Sequence, residues 1–185
     1  MKLIHLIAFM AINLVITGSS FAMGFDEVIN ERVKTASKTS TSAAVLYDLV
    51  RDEEVAVRAA VASNRGADAA SLQLLARDAE AEVRMALALN INAPESAKMV
   101  LSTDEDENVR LRLAKCGYMY HSVLKVLAKD PSHQVRQLVA KNHNANDEIL
   151  AMLMNDVDPI VRENVKSHPA YSAEILKLVV VTLMD

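Results

Sequence analysis

One spacing governs the chain. Asp52, Asp78, Asp104, Asp130 and Asp156 stand 26 residues apart, and Arg58, Arg84, Arg110, Arg136 and Arg162 follow them in the same phase without insertion or deletion. Self-similarity at a fixed period in this range is the mark of a stacked array of small structural units. With each Asp taken as position zero, the fifth residue is always Val (Val57, Val83, Val109, Val135, Val161). The ninth is Val61, Leu87, Leu113, Val139 or Val165, and the tenth is Ala62, Ala88, Ala114, Ala140 or Lys166. Positions five, six, nine and ten share one stripe of a helix. Asn64, Asn90 and Asn142 hold the twelfth position, where Asn is expected to stop the helix in the left-handed conformation. Cys116 and His168 replace it in the other two units.

A second helix is predicted to follow, with Pro94 suiting its first turn. Its apolar positions are Leu72 and Leu75, Leu124 and Leu127, Leu150 and Leu153, and Leu176 and Val179, while one unit has Lys98 and Leu101 there. Each unit is therefore two short antiparallel helices that must stack to bury their stripes. The composition agrees with helices packed closely through Ala, Val and Leu: there is no Trp, three Phe and four Gly.

The clearest phrase is LAKDPSHQVRQLVAKN, Leu127 to Asn142, nearly repeated as LARDAEAEVRMALALN, Leu75 to Asn90. It resembles the leucine-rich repeat variant family, a short-period relative of HEAT repeats, over about residues 45–181. The resemblance implies an all-α fold, a right-handed α-α superhelix of the HEAT/ARM type with about five 26-residue units, and leaves open whether one helix of each pair is tight enough to be 3₁₀. Some members of that family carry an iron–sulfur cluster on an N-terminal cysteine-rich segment. This chain has a single cysteine, so no cofactor is expected. HEAT-like arrays generally serve as surfaces for other macromolecules, and a few are enzymes or bind DNA.

The ends differ from the middle. Residues 1–22 have a basic start at Lys2, a mostly apolar stretch from Leu3 to Ile16, and small residues at Ser20 and Ala22, the layout of a secretory signal peptide. An uncleaved anchor is the competing expectation, disfavoured by the shortness of the apolar run. The expected product is exported, periplasmic and not stably inserted in a membrane. Residues 23–51 read as a degenerate capping unit: Asp26, Arg32, Leu46 and Leu49 keep the columns, whereas Glu31 takes the valine position. Residues 52–185 are the five-unit array, ending in an apolar helix, Ile175–Met184, that either folds back or supports self-association. The formal charge is −4, and loss of residues 1–22 would remove only Lys2. An acidic chain is a poor partner for nucleic acid, whose backbone calls for clustered Lys and Arg.

The Asp/Arg column reads as a structural ladder, each Asp capping the next helix and accepting hydrogen bonds from an Arg of its own or the adjoining unit. The competing reading is a charged recognition strip, which such uniformity argues against. A partner surface is expected where the columns vary, at Met85, Leu89, Leu111 and Leu138, edged by Arg112, Lys115 and Lys141. The alternative is that these side chains are buried between units. His143, His168 and Cys116 occupy successive corners, but stacked helices lie about 8–10 Å apart, too far for the 2.0–2.3 Å ligand shell of one zinc ion. The acidic run Asp104 to Glu107 lacks the alternation and central glycine of a calcium loop. No nucleophile motif or phosphate-binding glycine loop occurs. The reading is a non-catalytic scaffold for a partner protein; the alternative is a HEAT-like enzyme or enzyme subunit of lyase or nucleic-acid-processing type.

Overall fold

The computed structural model describes residues 25–171. The signal-peptide segment 1–22 and the apolar segment Ile175–Met184 lie outside the described residues. Among those described there are eleven helices and no strand. In chain order they are α1 (Phe25–Ser37), α2 (Ala43–Leu49), α3 (Val55–Ser63), α4 (Ala69–Leu75), α5 (Ala81–Ala88), α6 (Glu95–Leu101), α7 (Glu107–Ala114), α8 (His121–Leu127), α9 (His133–Lys141), α10 (Asp147–Leu153) and α11 (Pro159–Lys166). Both helices of each described pair are α-helical, and neither is the tight 3₁₀ form whose presence the resemblance left open. Contacts divide the chain inside α1, between Glu31 and Arg32. The shorter unit contributes the first turns of α1, and the larger one holds the other described helices.

After α1, every helix has seven to nine residues, well below the length at which a helix holds itself in water. What stabilises them is the stripe the sequence writes on each. Val57, Val61 and Ala62 on α3 are fully buried, as are Val83, Leu87 and Ala88 on α5 and their counterparts on α7 and α9. On the second helices the leucine pairs are buried: Leu46 and Leu49, Leu72 and Leu75, Leu124 and Leu127, Leu150 and Leu153. Successive first helices pack on one another, α3 on α5, α5 on α7, α7 on α9 and α9 on α11. Successive second helices do the same from α4 through α10. A single hydrophobic cluster runs through both rows, each fully buried Val or Leu contributing about 1.5–3 kcal/mol.

The corners correct two local expectations. Asn64 and Asn142 end their helices in extended backbone, φ −74° with ψ 123° and 124°, and no non-glycine residue among those described has positive φ. Asn therefore does not stop these helices by turning left-handed. Pro94 sits at the N-cap of α6, one residue before its first turn. There its missing N–H costs nothing, and its extended ψ of 155° suits the entry to the helix.

Candidate functional site

Two ladders of hydrogen bonds tie the units together. In the first, each Arg reaches forward to the Asp of the following unit. Arg58 Nε donates to Asp78 Oδ2 at 2.7 Å and Nη2 to Oδ1 at 3.1 Å. Arg84 repeats this on Asp104 (2.7 and 2.9 Å), Arg110 on Asp130 (2.7 and 3.3 Å) and Arg136 on Asp156 (2.6 and 2.9 Å). These are two-pronged, charge-assisted bonds, the strongest kind a guanidinium makes. The remaining nitrogen, Nη1, donates backward to carbonyls of its own unit, for example Asp78 and Ala79 from Arg84.

The Asp side chain has a second task, though not the one expected. Asp52, Asp78, Asp104, Asp130 and Asp156 each accept, through Oδ1, the backbone N–H two residues on, from Glu54, Glu80, Asp106, Ser132 and Asp158. Those donors are the N-cap residues themselves. The Asp shapes the corner that leads into the helix, and does not bond the first turn. The ladder has two modified ends. Arg32 grips Asp52 with Nη1 alone, at 2.9 and 3.1 Å, leaving its buried Nε without a partner. Arg162 donates to the carbonyls of Asp156 and Val157.

The electrostatics follow from this geometry. The hydrogen bond to Asp holds the guanidiniums of Arg58, Arg84, Arg110 and Arg136 above their ordinary value, against the opposing effect of burial. Burial pushes the Asp78 carboxyl up, but the bonds from Arg58 and the Glu80 N–H and the charges of Arg58 and Arg84 outweigh it and leave it below the usual range. Asp156 is lowered chiefly by its bond from Arg136.

The second ladder is built from the Asn column, whose part in joining units the sequence reading missed. Asn64 Nδ2 donates to the Ala36 and Lys38 carbonyls at 2.6 and 2.9 Å, while its Oδ1 accepts from the Gly66 N–H at 2.7 Å. Asn90 bonds the Ala62 and Asn64 carbonyls, and Asn142 those of Ala114 and Cys116, in the same register. His168 stands in for Asn: its Nε2 lies 3.1 Å from the Asn142 carbonyl, and Nδ1 accepts from the Ala170 N–H. That pairing assigns the ring proton to Nε2. The clue in the sequence was that three Asn in phase need an amide with both a donor and an acceptor, more than ending a helix requires.

The surface on the other side of the first helices carries a groove of about 610 Å³. Its lining joins the small side chains of Ala56, Ala59, Ala60 and Ala86 to the larger apolar Met85 and Leu89 and the charged Arg65, Glu82 and Arg112. Of the residues expected to form a partner surface, Met85, Leu89 and Arg112 line this groove. Leu111 and Leu138 are half-buried and pack against the core, and Lys115 and Lys141 are exposed beyond it. The groove's uncharged polar side chains bond within the protein. Ser37 and Ser63 hydroxyls donate to the Val33 and Ala59 carbonyls of their own helices, and the Asn90 amide belongs to the second ladder.

Among the described residues no three His, Cys, Asp or Glu side chains stand close enough to share a metal ion, and no helix is long and apolar enough to cross a membrane. No family model, no curated protein and no solved structure matches the chain.

Proposed function

We propose that the chain is an exported, periplasmic and non-catalytic scaffold, a HEAT/ARM-like right-handed superhelix of leucine-rich-repeat-variant type, that offers its groove to a partner protein. The observation that carries this reading is the lining of the groove. Alanines remove bulk along α3 and α5, Met85 and Leu89 supply apolar contact, and Arg65, Glu82 and Arg112 add charge at the edge. An apolar centre with a polar rim suits a protein segment, and flexible Met side chains adapt to one. Leu89 is 43% exposed, a large apolar side chain left open to solvent. The hydroxyls there are committed to helix carbonyls, which argues against an activated nucleophile.

The test is capture of a partner from envelope extract by residues 23–185 carrying Ala60→Arg, which fills the groove, or Leu89→Asp, which charges its lining. Both variants are expected to fold with unchanged helical circular dichroism and to lose the partner retained by the unaltered protein. A partner that binds all three equally places recognition elsewhere.

A further inference from the structure

Two residues break the repeat pattern in ways that look unrelated in the sequence. Lys98 takes a column otherwise held by leucine, and Cys116 takes the column of Asn64, Asn90 and Asn142. In the structure the two exceptions meet. Lys98 is 0% exposed, and its Nζ lies 3.6 Å from Cys116 Sγ and 3.2 Å from the Tyr118 carbonyl. Among the described residues no carboxylate lies within ion-pairing distance of Lys98, which is unusual for so deeply buried an amine. The thiol is its nearest side-chain partner, and the Sγ also faces the Tyr118 carbonyl at 3.5 Å.

The pair is buried but lies next to solvent in the sequence. Cys116 is 5% exposed, and the two residues after it are open: a Cβ at Gly117 would meet nothing within 4 Å, and Tyr118 is 74% exposed.

We propose that Lys98 and Cys116 form a modification site, an oxidatively closed and reductively opened cross-link between adjacent units. Hydrogen peroxide is the oxidant. The Cys116 sulfur attacks one peroxide oxygen, the O–O bond breaks, and water leaves, giving a sulfenic acid. The Lys98 nitrogen then attacks that sulfur; the S–O bond breaks, the oxygen leaves as a second water with a proton from the nitrogen, and an S–N bond remains. The balance is one thiol, one amine and one peroxide giving one sulfenamide and two waters. Sulfenic acids condense with nearby nitrogen in this way, and the amine is already in contact with the sulfur. A dithiol reductant reverses the step, returning the amine and thiol as the dithiol becomes a disulfide.

The experiment is intact-mass measurement and peptide mapping of residues 23–185 after treatment with hydrogen peroxide, with and without subsequent dithiothreitol. The expected product is about 2 Da lighter than the reduced protein, the loss of two hydrogens in S–N formation. Its Lys98 and Cys116 peptides are joined, and dithiothreitol separates them. In Lys98→Met, of similar length and apolar, the same treatment gains oxygen at Cys116 or pairs two chains by a disulfide, with no lighter species. The mapping of the unaltered protein decides the matter even if that variant fails to fold. Cys116 remaining reduced, or carrying added oxygen or a disulfide while Lys98 stays free, overturns the proposal.

Discussion

A carboxylate that answers to three donors at once is hard to replace. Asp104 accepts two bonds from Arg84 and one from the Asp106 N–H, and the Arg84 side chain is only 9% exposed. Asp104→Ala strands that guanidinium and releases the corner, so it is expected to destabilise the fold by about 1–3 kcal/mol, read from urea or thermal melts. An unchanged melting temperature contradicts the ladder. Two other rungs set an acid limit. Asp78 and Asp156 have folded values below those of an unfolded aspartate, so the unfolded chain binds protons more readily as pH falls. Their contribution is fully present above about pH 4, the ordinary aspartate range, and is lost as pH drops through the lower folded values. Melting temperature should therefore be insensitive to these rungs between neutrality and about pH 5 and decline in more acidic solution. Asp78→Asn, already short of its charge, should show a shallower decline.

At the scale of helices and corners, much was legible and some was not. The stripe of Val57, Val61 and Ala62 and the pair Leu72 and Leu75 announce which faces are buried, because a helix repeats its face every three to four residues. The Asp/Arg pairing was legible as a ladder, but its direction was not. Spacing alone cannot say whether Arg58 serves Asp52 or Asp78, since that depends on how one corner meets the next. The joining role of the Asn column is hidden in the sequence because its partners lie 26 and 28 residues away along the chain, and a helix end is reason enough for an Asn. The groove was only half seen. Met85 and Leu89 stood out as exposed apolar residues, whereas the hollow beside them is made by what Ala59, Ala60 and Ala86 lack.

Lys98 and Cys116 make a prediction at this same scale. Where other corners use an Asn amide or the His168 ring, this one has a lysine of the preceding unit donating to the Tyr118 carbonyl. Lys98→Leu with Cys116→Asn restores both columns together. A double-mutant cycle on thermal or urea stability should give a coupling of about 0.5–3 kcal/mol between the two positions. Strict additivity would show that the lysine and cysteine are neighbours without being partners.

At the scale of the whole chain, stability is a sum of small units and the junctions between them. Each junction described from α3 to α11 holds the same three parts: buried aliphatic side chains, a forward-reaching Arg with its Asp, and a corner amide or its substitute. The guanidinium always belongs to the earlier unit and the carboxylate to the later, so the rungs carry a sense of direction, like the hook and eye of a fastening. A fastening of that kind can be shortened by whole links. Excising residues 131–156 would join Asp130 to Val157 and keep Arg110 opposite Asp130, Arg162 six positions after it, and His168 in phase with Cys116. That trimmed chain is expected to stay helical and to melt cooperatively, by circular dichroism, whereas removal of one residue fewer would throw every later hook out of line with its eye.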